Sequence, residues 1–156
     1  MIDPDNVPHV EPDEMLARYI VAGETVRSLR KYVREDETVK PQLFIPYHYV
    51  ELSVNRHRDC NEDEIWRFGF SVAEQRAMTF HGRSDISASD CTFDPLSVLA
   101  KPIRNNLPDA TDNPNHADIV GYPSEKADQK SLALKLAAKA SKRKTPEPED
   151  YGTDSQ

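Results

Sequence analysis

The residues best suited to chemistry lie in a proline-bounded stretch near position 116. His116 stands two residues before Asp118, and Pro114 and Pro123 limit the backbone freedom of the stretch. An imidazole close to a carboxylate can act as a general base or bind a metal. Asn115 and Asp118 could instead form local turn hydrogen bonds, with His116 packed against a helix. The pattern is compatible with an acid–base pair or a metal ligand, and a structural role for these residues is the favoured interpretation.

His81 is the next catalytic candidate, because it follows a predicted strand and is followed along the chain by Cys91. A cysteine nucleophile needs a neighbouring base and a lowered thiol pKa. The two side chains would meet if the serine-containing segment between them turned back. For a small hydrolase or transferase we expect His116, Asp118 and either His81 or Cys91 to converge beside a concave pocket.

Metal and cofactor sites are not expected. Zinc needs about four nitrogen or sulfur ligands, usually from two close pairs, whereas His57 and Cys60 form a single such pair and Arg58 between them would repel a cation. The five glycines are scattered singly, so no phosphate-binding loop is predicted. Two cysteines make no disulfide framework, which favours a reducing compartment.

Positive charge is concentrated near the C-terminus of an acidic chain. The formal net charge is -7, yet residues 125–144 contain seven lysines and arginines and two acidic residues. Clustered cations can contact phosphate, so a nucleic-acid-binding accessory protein is one alternative. The acidic balance and the lack of aromatic residues among the lysines disfavour it. Lys135 and Lys139 are therefore predicted as contacts to a partner protein.

Tyr47 and Tyr49 complete the predicted partner surface, since tyrosine is prominent at protein interfaces. The favoured interpretation is a non-catalytic binding or adaptor protein that acts through a protein partner, with the loop around His116 and Asp118 as its specificity element. The hydrolase or transferase described above is the alternative from another class. Assembly with further copies of the chain is left open.

Two apolar patterns predict the helices that frame these residues. Across 13–34 the apolar residues recur at three- and four-residue steps, with acidic residues at the start and basic residues near the end, as in an amphipathic helix. Across 125–142 alanine and leucine dominate, and Ser124 is the predicted N-cap. We therefore expect one N-terminal and one C-terminal helix.

The chain between these helices has the pattern of strands. The stretch 42–55 is rich in aromatic and β-branched residues, and 64–72 alternates apolar and polar residues. A third strand is expected around 78–82, and a short apolar run follows at 97–99. The polar stretch 104–122, rich in asparagine and proline, is expected to be a long loop.

This order predicts an α+β fold, with a small antiparallel sheet of three to four strands and both helices packed on one face. The single domain should span 12–144, after a flexible acidic arm at 1–11 and before a disordered acidic tail at 145–156. No stretch approaches the roughly 20 apolar residues that span a bilayer, and the acidic start is unlike an export signal. We expect a cytoplasmic protein with no membrane partner.

Overall fold

The computed structural model describes residues 1–47, 50–104 and 112–147. Its centre is one antiparallel sheet of five strands, which makes the fold α+β as predicted, with more strands than expected. The spatial order of the strands is β3-β1-β2-β5-β4. The strands are β1 Met15–Ala22, β2 Leu52–Arg56, β3 Thr79–Ser87, β4 Ser97–Ala100 and β5 His116–Val120.

Three α-helices are present among the described residues, and they cover both faces of the sheet. They are α1 Val26–Leu29, α2 Glu62–Gln75 and α3 Lys126–Lys139. A 3-10 turn at Pro41–Phe44 packs against α3. The expected arrangement of an N-terminal and a C-terminal helix on one face is therefore wrong in detail: the first long element is a strand, and α2 lies across the sheet from α3.

The helix predicted across 13–34 is replaced by β1 and the single turn α1. Strand β1 is buried on both faces: Leu16 and Ile20 belong to the main core, while Ala17 and Val21 pack towards α2. A strand that is apolar on both faces does not alternate apolar and polar residues. The apolar residues of β1 and α1 therefore recurred at three- and four-residue steps, which is the spacing expected of a helix.

The strand predicted at 64–72 is part of helix α2. Asn61 is its N-cap and accepts from the backbone of Glu64 at 2.9 Å, while the Glu64 side chain accepts from the Asn61 backbone at 3.0 Å. This capping box fixes the start of the helix. Trp66 and Phe68 are buried, whereas Phe70 is substantially exposed, so the apparent alternation joined residues on different sides of α2.

The other predictions are closer to the structure. Strand β3 confirms the expected third strand, β4 contains the short apolar run, and α3 confirms the C-terminal helix, although its N-cap is Glu125. The stretch 42–55 contains a 3-10 turn and only its end is β2. The predicted long loop contains β5, because Ala117 and Ile119 pair with β2 and enter the core; positions 105–111 of it lie outside the described residues.

The two faces of the sheet differ, and this difference creates the candidate site. On one face Leu52, Val54, Ala117 and Ile119 join the main core beneath α3. On the other face, α2 packs against β1 and β3. Beside α2, the surface of β2 and β5 presents polar residues to a cleft.

The ends of the domain are joined to its body by hydrogen bonds. Ile2 is 1% exposed, and its N–H donates to Asn115 Oδ1 at 3.0 Å, so the segment predicted as a flexible arm contacts the start of β5. After α3, the Lys144 backbone pairs with Arg83 at the outer edge of β3, at 2.8 and 3.0 Å. None of the helices in the described part of the chain is long and apolar enough to cross a membrane.

Two Arg–Glu pairs of similar geometry differ in burial. Arg56 contacts Glu14 with Nε–Oε1 at 2.7 Å and Nη2–Oε2 at 2.8 Å, and their side chains are 0% and 6% exposed. Arg143 contacts Glu37 with the same atoms at 3.1 and 2.7 Å, and these side chains are 17% and 37% exposed. The first pair lies inside the domain and the second lies at its surface.

Candidate functional site

A cleft of about 1040 Å³ lies between α2 and the uncovered part of the sheet. Its floor is formed by alternate residues of β2 and β5, which point to one face because successive side chains of a strand alternate. Its wall is formed by the C-terminal end of α2. The acid–base cleft, as we call it, is lined on these elements by Ser53, Asn55, His116, Asp118, Val72, Gln75 and Arg76.

His116 is oriented by the backbone. Its Nδ1 lies 2.9 Å from the carbonyl oxygen of Lys101, and a carbonyl can only accept, so Nδ1 carries the hydrogen. Nε2 is then the nitrogen available as a base, and it lies 3.8 Å from Asp118 Oδ1. The sequence predicted that Asp118 orients the imidazole; in the structure the Lys101 carbonyl contacts Nδ1, and Asp118 faces Nε2.

Asp118 and Glu51 form a carboxyl pair beside this imidazole. Burial raises the pKa of Asp118 above its ordinary value, the charge of His116 opposes the rise, and a hydrogen bond to Glu51 together with the charge of Glu51 adds to it. Two neighbouring carboxyl groups that share a hydrogen bond retain a proton more readily than either does alone. The cleft thus contains an imidazole with a free Nε2 next to a carboxyl group, Asp118, whose pKa is raised by burial and by the neighbouring Glu51.

Buried amides hold β5 in the register that brings these groups together. Asn55 and Asn113 exchange two side-chain hydrogen bonds at 3.1 and 3.2 Å. Asn115 donates to the carbonyls of Arg56 and Arg58 at 2.7 and 2.8 Å. Because buried amides are costly unless they are paired, these bonds fix the chain just before His116.

Arg18 lines the same cleft and has no acidic partner within the described residues. Its Nε donates to the Leu43 carbonyl at 2.9 Å and its Nη1 to the Ser53 carbonyl at 3.0 Å. Burial lowers the pKa of the guanidinium to about 10, well above neutral pH, so the group is charged. A desolvated cation held by carbonyl groups alone favours an anion nearby.

A second cavity, which we call the basic groove, adjoins the acid–base cleft and has a volume of about 880 Å³. Arg18, Arg76 and Lys126 line both cavities, as does Tyr47. Among the described residues, no aspartate or glutamate lines the basic groove. Its cations are Arg18, Lys31, Arg76, Lys126 and Lys130.

The predicted catalytic residues converge only in part. His81 is on β3, where Nε2 contacts the Gly23 carbonyl at 2.7 Å, and three inter-strand spacings, about 14 Å, separate β3 from β5. Cys91 is fully buried in the main core, where desolvation raises its thiol pKa to about 12. His116 and Asp118 therefore share the cleft without either of them.

The predicted partner residues are dispersed. Tyr47 is 74% exposed at the rim of both cavities, and Tyr49 lies outside the described residues. Lys135 Nζ lies 5.6 Å from the centre of the Phe93 ring, and Lys139 is exposed at the end of α3. These lysines do not line either cavity.

A second histidine–carboxylate contact has a structural role. His57 Nε2 lies 3.0 Å from Asp85 Oδ1, but Asp85 also accepts from Arg83 at 3.0 Å and from Lys144 at 2.9 Å. Both carboxylate oxygens of Asp85 thus have hydrogen-bond partners, and these partners lower the pKa of Asp85 although burial alone would raise it. Within the described ranges, no group of three or more His, Cys, Asp or Glu side chains is placed to hold a metal ion.

Glu51 and Arg18 were missed by sequence reasoning, since Arg18 lies on β1 and Glu51 directly precedes β2, both far along the chain from His116. No protein-family model matches this sequence, and no curated protein or solved structure is similar enough to it to count as a match. The function must therefore be argued from the cleft itself.

Proposed function

We propose that the protein is a small hydrolase or transferase, in which His116 is the general base and the Asp118–Glu51 pair is the general acid. The observation that carries this proposal is the presence of an oriented imidazole and a partly buried carboxyl group, Asp118, 3.8 Å apart in one concave cleft. An imidazole with a free nitrogen and a carboxyl group whose pKa is raised by burial are common components of acid–base catalysis.

In the proposed reaction, His116 Nε2 removes the proton of a water or hydroxyl nucleophile as its oxygen bonds to the electrophilic centre of the substrate. The bond to the leaving group breaks, and the leaving oxygen takes the proton held by Asp118 and Glu51. The proton on His116 then returns to the carboxyl pair through one water, because the 3.8 Å between Nε2 and Asp118 Oδ1 exceeds the length of a direct hydrogen bond.

The test is turnover of three chromogenic substrates, p-nitrophenyl phosphate, bis-p-nitrophenyl phosphate and p-nitrophenyl acetate, between about pH 5 and pH 9. We expect His116→Gln and Asp118→Asn each to lower turnover by about 10²–10⁴-fold. The control His9→Gln changes an exposed histidine outside the cleft and should retain full turnover. Equal activity of the wild type and His116→Gln, or no turnover by the wild type, would contradict the proposal.

The second candidate is the non-catalytic adaptor, and Tyr47 is the observation that favours it. This tyrosine is largely exposed beside the cleft, and exposed tyrosines often dominate interface energetics. An adaptor would lose a co-purifying protein on Tyr47→Ala and retain it on His116→Gln. If the protein is an enzyme, His116→Gln should lower turnover more than Tyr47→Ala does.

A further inference from the structure

We infer that the basic groove binds a phosphate-bearing small molecule with an aromatic ring, a ligand of the nucleotide class. The cations come from four separate elements of the chain: Arg18 from β1, Arg76 from the end of α2, Lys126 and Lys130 from α3, and Lys31 from the segment after α1. The tertiary fold therefore brings cations that are distant in sequence to one cavity.

The groove cations are unlike other lysines and arginines without an acidic partner in that all five line one cavity. Arg56, Arg83, Arg104, Arg143 and Lys144 each form an ion pair with a carboxylate. In the part of the chain that the structure describes, none of the five groove cations does. The chain has 27 acidic residues and 20 lysines and arginines, so a groove of cations without carboxylates leaves its charge to be balanced by a ligand.

The type of cation favours phosphate. An arginine guanidinium matches the paired oxygens of a phosphate group, and lysines add point charges around it. Arg18 and Arg76 line both the basic groove and the acid–base cleft, so a phosphate bound by them would lie at the junction of the two cavities. That this phosphate belongs to the substrate of His116 rests on the proposed function; the anion site itself does not.

Tyr32 and Tyr47 supply the aromatic part of the site. Both line the basic groove, and Tyr47 is 74% exposed at its rim. Aromatic side chains stack on nucleobases with little dependence on the base. Cations and tyrosines in one cavity of about 880 Å³ suit a ligand that has both phosphate and a planar ring.

The distribution of lysines on α3 favours a small ligand over a polynucleotide. At roughly 100° per residue, Lys130 and Lys135 are about 140° apart around the helix axis. Lys126 and Lys130 line the groove, whereas Lys135 lies over Phe93. The helix therefore does not present one continuous basic stripe along which a nucleic-acid backbone could run.

The experiment is isothermal titration of the full chain with inorganic pyrophosphate, AMP and ADP, at two salt concentrations. The double variant Arg76→Gln/Lys130→Gln removes two groove cations whose side chains form no hydrogen bond or ion pair with other described residues. Lys135→Gln/Lys139→Gln removes the same charge from another side of α3 and is the matched control. A single-stranded oligothymidylate is titrated in parallel.

We expect ADP to bind the wild type more tightly than pyrophosphate does, with affinity that falls as salt rises. The groove double variant should weaken ADP binding about tenfold or more, and the control should stay within about twofold. Absence of ADP binding, equal losses in the two double variants, or tighter binding of the oligonucleotide would overturn the inference. His116→Gln should bind ADP normally, so loss of turnover and loss of binding report on separate proposals.

Discussion

Replacement of Glu14 by glutamine should destabilise the domain far more than the same change at Glu37. Both carboxylates receive two hydrogen bonds from one arginine, but the Glu14–Arg56 pair is 6% and 0% exposed and the Glu37–Arg143 pair is 37% and 17% exposed. Glu14→Gln leaves the Arg56 guanidinium buried without its counter-charge. Such a break costs roughly 3–5 kcal/mol of unfolding free energy, whereas breaking a surface pair costs about 0–1 kcal/mol.

In a domain of this size, 1 kcal/mol shifts the melting temperature by about 2–4 °C, so Glu14→Gln should melt roughly 6–20 °C below the wild type. Thermal and urea unfolding, followed by circular dichroism at neutral pH, measure both variants. Burial alone would raise the pKa of Glu14, but the hydrogen bonds and charge of Arg56, with smaller bonds from Glu11 and Arg58, hold it below its ordinary value.

The sign of the pH dependence follows from that lowered pKa. Ionised Glu14 is favoured in the folded state, so its stabilisation is complete above the ordinary carboxyl pKa and is lost as pH falls through the folded value. The difference in unfolding free energy between the wild type and Glu14→Gln should therefore become smaller in acid. Equal losses for Glu14→Gln and Glu37→Gln at neutral pH would refute the assignment of stability to burial of the first pair.

Three further predictions follow from single contacts. Because the pKa of Asp118 is raised, its ionised form opposes folding at neutral pH; Asp118→Asn should raise the melting temperature near pH 7, and this gain should vanish near pH 3. Cys60, half-buried with a thiol pKa of about 11, should react with a thiol reagent slowly at pH 8 yet faster than Cys91, as peptide mapping would show. Gly69→Ala should lower stability in urea despite alanine's better helix propensity, since the new methyl would lie 2.6 Å from the Phe80 ring.

The sequence correctly predicted the α+β fold class, but it misassigned the secondary structure of two elements in the first half of the chain. Strand β1 was mistaken for a helix because its two buried faces hid the alternation, whereas α2 was mistaken for a strand because Trp66, Phe68 and Phe70 happen to alternate. The signal that identifies α2 was present: Asn61 followed by Glu64 is a capping box. For α2, the spacing of apolar residues predicted the wrong secondary structure, whereas the capping residues Asn61 and Glu64 indicate a helix.

The candidate site was predictable only where its residues are close in sequence. His116 and Asp118 share a face because they are two residues apart on one strand. Glu51 and Arg18 join them through pairing of β2 with both β5 and β1. Such long-range pairing depends on the register of the whole sheet, which local patterns do not contain. The expected contribution of His81 fails for the same reason.

The pairing of residues 141–144 with the outer side of β3 limits how copies of this protein could join. Ser141 and Lys144 occupy the hydrogen-bonding groups of Asp85 and Arg83 that an incoming strand would need. These bonds cover part of the β3 edge, and β4 forms the opposite edge of the sheet among the described residues. Growth into an open fibre requires two available edges on every subunit, so the backbone hydrogen bonds of residues 141–144 to β3 oppose fibre growth through the sheet.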